Sequence, residues 1–425
     1  MYRLIPTGAL FLLAATLSAA DFKPGEWPQW RGPNRDAKST ETGLLKEWPK
    51  DGPPLLWTAK GLGRGYSSIS IAGGKIFTLG DRGKDPNDKA RDQYLIALNL
   101  ADGKELWVAK VGNGWGDGGP RCTPTVDGSL VYVVSPHGDL VCFQTADGKE
   151  VWRKNFKTDF KGNMMSGWGY SESPLIDGNQ LLCTPGGKEA TLAALNKKTG
   201  EVVWKAQVPE GDGAGYASVV SAEVGGVKQY ITLLGKGIVG VAAKDGKFLW
   251  RYNRIANGTA NIPTAIVKGD QVFCSTGYGA GAALLKIVPQ TNGGFKAEEV
   301  YFIKGNEFQN HHGGMILVGD YVYAGHQHNQ GFPICVELAT GKITWKKDRG
   351  PGSGSAAVVY ADGNLYFRYE NGVMALIEAT PQGYSEKGTF RIPNVSGPSW
   401  PHPVVAGGKL YLREGDSLMC YNLKK

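Results

Sequence analysis

Beyond residue 20, no stretch of this 425-residue chain approaches 18 uninterrupted apolar residues, so a membrane-crossing helix is not expected in the mature protein. Charge is also scarce, with Asp, Glu, Lys and Arg making up 20% of residues. No basic block interleaves with aromatics, so a nucleic-acid or anionic-membrane surface is not expected. The six cysteines include no adjacent pair and no C-x-x-C-H run, so no covalently attached c-type haem is built in. The first of them is Cys122, which leaves the leader without a cysteine for a lipid anchor, and a lipoprotein is not expected. The glycine-rich runs Gly61–Gly65 and Gly277–Gly281 lack both the strand-to-helix setting and the Lys-Ser/Thr ending of a phosphate loop, and read as loops.

Turn formers and large apolar anchors are plentiful instead: 62 Gly, 23 Pro and 12 Trp favour an all-β array over helices. Residues 1–20 read as a signal peptide, with Arg3, an apolar run from Leu4 to Leu17, and small residues Ser18, Ala19 and Ala20 before Asp21. Without Arg3 the chain carries 46 basic and 39 acidic side chains, a balance of +7 spread without a cluster. This predicts a periplasmic or secreted, soluble protein, expected as a monomer.

One unit recurs through the rest. It is a hairpin ending in tryptophan, in Ala101–Trp107, Ala146–Trp152, Lys198–Trp204, Lys244–Trp250 and Ala339–Trp345. Gly103, Gly148, Gly200, Gly246 and Gly341 occupy the turn, where positive φ is needed. Ten residues before each tryptophan stands a small residue (Ala97, Cys142, Ala194, Gly240, Cys335), as if a tryptophan packs over that point. Degenerate copies end near Tyr301 and Phe390, and Trp57 ends a strand without earlier partners. The repeat ends therefore fall 44 to 52 residues apart, enough for four short strands each. After Phe390 only three strands remain, so the strand at Leu55–Trp57 completes them and closes the ring. The expected fold is an eight-bladed β-propeller of four-stranded antiparallel blades over residues 48–425, preceded by an N-terminal arm at 21–47.

The hairpin pattern, clearest in Ala194–Trp204, resembles the tryptophan-docking repeat of quinoprotein alcohol dehydrogenases and their PQQ-like (pyrroloquinoline quinone) propeller relatives. Trp27–Arg35, Asn310–Met315 and Gly325–Asn329 look like an exported bacterial branch of such repeat proteins.

Loops entering the blades and loops after each second strand share one face of a propeller. Blade six places His311 and His312 in the first set and His326 and His328 in the second, a candidate metal group, because imidazoles bind late first-row metals. His137, His402 and Trp400 enter the same face. Tyr66, Trp168, Tyr170, Tyr216 and Trp400 are candidate cofactor-binding rings, able to hold a planar cofactor, a sugar or a peptide, or simply to plug the channel. Glu172 and His312 are the candidate catalytic acid–base groups, with Arg121 or Lys188 as possible partners of Glu172. The cysteines read as buried thiols, since Cys142, Cys335 and Cys420 share the small-residue register.

Two functions follow from the resemblance. One is a binding scaffold of the cell envelope, holding a protein, peptide or polysaccharide, like the PQQ-like propellers of outer-membrane protein assembly. The other is a PQQ-dependent oxidoreductase acting on an alcohol, polyol or sugar, which implies a calcium site of carboxylate and amide oxygens that the sequence does not display.

Overall fold

A computed structural model describes residues 22–83, 91–291, 293–395 and 397–425; the expected signal peptide at 1–20 lies outside them. Eight four-stranded antiparallel sheets form a closed β-propeller. Blades 1 to 7 span residues 70–113, 125–155, 175–206, 220–252, 266–303, 315–346 and 356–391. Blade 8 joins residues 404–422 to the strand Leu55–Ala59, with Trp57 opposite Cys420 and Thr58 opposite Met419. The one helix among the described residues, Phe156–Phe160, follows blade 2, and Asn155 caps its N-terminus.

The repeat packs as its spacing requires. Within a blade, the small residue lies directly opposite its own tryptophan: Ala97 with Trp107, Cys142 with Trp152, Ala194 with Trp204, Gly240 with Trp250 and Cys335 with Trp345. A ring from the second strand, such as Tyr132 or Tyr323, flanks the small residue on its other side. A β-bulge stands between each hairpin and its tryptophan, at Leu106 and Val151 in blades 1 and 2. Trp57, Trp107, Trp152 and Trp204 then cover the hairpin glycines of the next blades, and Tyr301 does the same for Gly341. A Cβ on Gly103 (φ 71°) would stand 2.7 Å from the Trp57 ring, and one on Gly148 2.6 Å from Trp107. Indole N–H groups tie neighbouring blades, Trp152 Nε1 donating to the Lys197 carbonyl at 3.0 Å and Trp345 Nε1 to the Thr380 carbonyl at 2.8 Å. All six cysteines are free and buried.

Blade 7 departs from the sequence reading. The bulge places Gly388, not Phe390, at the tryptophan position, opposite Leu376. Trp48 supplies the missing ring from the N-terminal side. A Cβ on Gly388 would lie 2.8 Å from Trp48 Cβ, and the Trp48 ring meets Tyr366 at 5.7 Å and Phe390 at 5.1 Å.

The segment before the first strand is also built into the ring. Trp27 pairs with Ile71, the Pro28 carbonyl accepts from Val126 N–H, and Lys38 pairs with Tyr360. Between them the arm spans the axis. Arg35 donates to the Ser173 and Pro174 carbonyls at 2.6 and 2.9 Å, while Arg31 donates to the Met315 carbonyl. Arg31 and Arg35 are 4% and 5% exposed, so residues 27–38 plug the channel.

Candidate functional site

Each innermost strand starts at the face where its blade is entered; the arm meets Tyr360 near the far end of Ala356–Ala361, and Glu26 accepts from the Gly73 N–H in the turn beyond Ser70–Ala72. The arm therefore closes the channel from the far face. What remains on the entry face is a cavity of about 340 Å³, floored by Trp30 and Arg31 and walled by the entering loops. Trp30 is held there by its Nε1–H, which donates to Thr264 Oγ1 at 3.1 Å, and by edge contact with His402.

Of the residues expected to act, His311, His312, His328, Tyr66, Trp168, Tyr216 and Trp400 line this cavity, as does His402. The rings are packed on one another. Tyr66 lies 4.4 Å from Trp400, Trp400 meets the His312 edge at 4.5 Å, and His312 stacks on His311 at 3.6 Å. Trp168 stands at the mouth, 45% exposed, with its backbone N–H directed at the Tyr216 hydroxyl and its carbonyl accepting from Arg121.

Three expected residues lie elsewhere. Ser171 and Ser173 line the cavity, so the extended segment between them sends Tyr170 and Glu172 the other way. The Tyr170 hydroxyl donates to the Pro185 carbonyl inside the blade core. Glu172 is 3% exposed and accepts from the Thr184 N–H; the charge it faces is Arg35, not Arg121 or Lys188. Burial raises its carboxyl to about 7, against the hydrogen bonds from Thr184 and the attraction of Arg35. His326 ends a strand and stacks on Phe308 between blades, 3% exposed.

The four-histidine metal group consequently does not assemble. Both nitrogens of His311 are engaged, Nδ1 with Ser355 Oγ at 2.9 Å and Nε2 with the Tyr278 hydroxyl at 3.0 Å. Among the described residues, no group of three or more His, Cys, Asp or Glu side chains is arranged to hold a metal. The catalytic pairing of Glu172 with His312 is not formed either, since Glu172 is outside the cavity lining.

Electrostatically three of the lining imidazoles, His311, His312 and His402, are held neutral. Burial, then the neighbouring His328, holds His311 down to about 3; burial and then Arg31 hold His402 down to about 3. His312 is held far below its ordinary value by burial and by His311, Arg121, His328 and His402. Such rings are poor proton donors at neutral pH. The arrangement is a box of aromatic and imidazole faces with Arg31 beneath it and Arg121, Asp117 and Glu370 around it. Trp30, Arg31, Tyr278 and Glu370 carry no role in the sequence pattern, although the aromatic density of Trp27–Arg35 ahead of the first strand is a visible signal.

The family model described as outer membrane protein assembly factor BamB, a PQQ-like repeat model, matches residues 91–347. The chain belongs to this BamB family of PQQ-like repeat proteins. It is 28% identical over 258 residues to the outer membrane protein assembly factor BamB of Shewanella oneidensis, covering 57% of this chain and 60% of that protein. It is 24% identical over 262 residues to the BamB of Burkholderia pseudomallei, covering 60% of this chain and 62% of that protein. It thus spans about three fifths of the length of these BamB relatives. BamB from Moraxella catarrhalis has the same fold, with a TM-score of 0.60 at 13% identity, covering 87% of this chain and 97% of that one. So does a europium-containing methanol dehydrogenase, with a TM-score of 0.63 at 11% identity, covering 92% and 90%.

The fold shared with that dehydrogenase raises the question of PQQ and its metal. A hard cation needs several convergent oxygen ligands, carboxylates foremost. Here Asp117 is exposed and paired with Arg121 at 3.0 Å, Glu370 accepts from the Ser355 N–H, Glu172 is turned away, and no three such groups converge among the described residues. The residues present do not fit a quinone–metal centre.

Proposed function

We propose that this chain is a binding scaffold of the bacterial cell envelope, working as a monomer in the periplasm or after secretion, which docks partner proteins on the outer edges of its blades. The observation that carries this is where the exposed apolar side chains lie. Of nine large exposed hydrophobics among the described residues, eight sit on outermost strands: Leu55 and Leu56 on blade 8, Leu106 and Val108 on blade 1, Val151 on blade 2, Val202 and Val203 on blade 3, and Val300 on blade 5. Seven of the eight belong to the consecutive blades 8, 1, 2 and 3, which form one arc of the rim.

An outermost strand has one unpaired backbone edge, and a partner strand added there gains main-chain hydrogen bonds while apolar side chains supply specificity. Isolated exposed apolar residues are ordinary on any surface, but a set confined to strand edges along one arc is a docking pattern. The family's BamB relatives, named for outer-membrane protein assembly, support the same reading.

Photo-crosslinking residues placed at Leu106 and Val203 in the native envelope test it, with Lys387 on the outermost strand of blade 7 as control. Discrete adducts at the first two positions and none at the third are expected; indiscriminate adducts or none at the arc would refute edge docking. PQQ added with calcium is expected to produce neither bound absorbance nor dye reduction with alcohols.

A further inference from the structure

The central cavity is separate from the blade edges, and its chemistry is polarised. Arg31 lies under the floor, 4% exposed, with no salt bridge; its Nη1 has no hydrogen-bond partner, while Nε and Nη2 are spent on backbone carbonyls. Its pKa, lowered by burial to about 10, leaves it charged at neutral pH. Asp36 attracts Arg31 without a salt bridge to it and is itself paired with Lys38 at 3.2 Å; of the carboxylates that line the cavity, Asp117 and Glu370 both act on Tyr66, and Asp117 is already neutralised by Arg121. The adjacent rings of His402 and His312 carry no competing positive charge. An anionic group entering the cavity therefore meets one unpaired guanidinium at its end, in surroundings where water screens little.

The cavity is also blind, since Trp30 and Arg31 of the plug close its floor. A polypeptide enters a blind socket by a side chain or by a chain end, and of these only a C-terminus brings a carboxylate and a side chain together. An N-terminal ammonium would be repelled by Arg31, whereas a C-terminal carboxylate is attracted to it. The walls offer ring faces and edges from Tyr66, Trp400, Trp168, Tyr216 and Tyr278, which suit another aromatic ring in offset or edge contact. The volume lies at the small end of ligand sites, room for a terminal residue rather than a folded segment.

We propose that this cavity is a socket for the C-terminus of a partner polypeptide, with the terminal carboxylate facing Arg31 and an aromatic last side chain held between the ring walls. The mouth is preorganised for it. Arg121 and the Tyr216 hydroxyl fix the backbone of Trp168 at the rim, and Ser166 Oγ, hydrogen-bonded to Tyr216 at 2.6 Å, donates to the Thr259 carbonyl.

Calorimetric titration of the protein with a tetrapeptide ending in phenylalanine, as free acid and as C-terminal amide, tests this. The acid is expected to bind about tenfold more tightly than the amide. Trp168→Ala should weaken the acid by a similar factor, and Arg31→Met should erase the difference between acid and amide. Because Arg31 also supports Met315, the exposed Trp168→Ala variant keeps the test readable if Arg31→Met fails to fold. Equal binding of acid and amide, no binding of either, or equally tight binding of free phenylalanine would overturn the proposal. Leu106→Lys should leave peptide binding unchanged, so failure of edge docking and failure of the socket are told apart.

Discussion

Trp48 is the residue on which blade 7 depends. It is 7% exposed and fills the place that Gly388 leaves empty, against Tyr366 and Phe390. Trp48→Ala should lower stability by about 3–5 kcal/mol, the cost of removing a large ring from a packed interior. Differential scanning calorimetry checks it, and a cost near zero would mean that the arm is dispensable to the blade. A second residue-scale prediction concerns protons. His311, His326 and His402 are held down to about 3, 4 and 3, and His312 lower than its ordinary range, whereas in the unfolded chain each titrates near 6.5. Their contribution is present above that value and is lost as pH falls toward the folded values. Glu172 and Asp81, raised by burial to about 7 and about 6, act oppositely, favouring the folded state at low pH and losing that as pH rises through those values. Four groups outweigh two. Near pH 5.5 the unfolded chain binds about two more protons, so stability falls on acidification between roughly pH 6.5 and 4.5. A melting temperature that rises over this window would contradict the assignment; His326→Asn should flatten the slope.

At the scale of the element, the hairpin strand has two faces with different duties. Trp107 and Trp152 turn inward to cover the next blade, while Leu106, Val108 and Val151 remain exposed beside them. Leu106→Lys or Val203→Lys should therefore shift stability by no more than ~0.5 kcal/mol while abolishing crosslinks to partners. A large melting shift would place these side chains in a structural role instead. The same strand explains what was legible in the sequence. A turn glycine, a tryptophan and a small residue at fixed spacing recur because each meets the others across a strand or a blade boundary. Gly388 carried no such mark, because its tryptophan stands 340 residues earlier (388 minus 48). The site was half-legible for a related reason. Which face a loop occupies follows from topology, and that gathered His311, His312 and His328. Which way a side chain points within an extended stretch follows from alternation, so Tyr170 and Glu172 turned away where Ser171 and Ser173 turned in. His326 belongs to the strand Tyr321–His326 rather than to the turn, and its ring went between blades.

At the scale of the whole molecule, the N-terminal segment performs three tasks: it plugs the channel, fills blade 7 and completes blade 8. Removing residues 22–59 would leave the outer edge of Ser417–Asn422 unpaired and the axis open. That truncation is expected to self-associate, because a free central edge templates pairing with another copy. Light scattering coupled to size exclusion measures this, and a monodisperse monomer would show that closure is not needed.

The pairing of Trp57 with Cys420 joins positions 363 residues apart (420 minus 57). A chain emerging from its amino end exposes Leu55–Ala59 first and must leave it waiting until nearly the last residue has appeared, while blades 1 to 7 assemble from local contacts in order. Closure thus waits for the end of synthesis and, with the arm contacts such as Leu44 with Lys424, carries the largest loop entropies in the fold. Until then the nascent chain displays both an unsatisfied first strand and an unsatisfied last one, and a holdase active during export would find its binding site there.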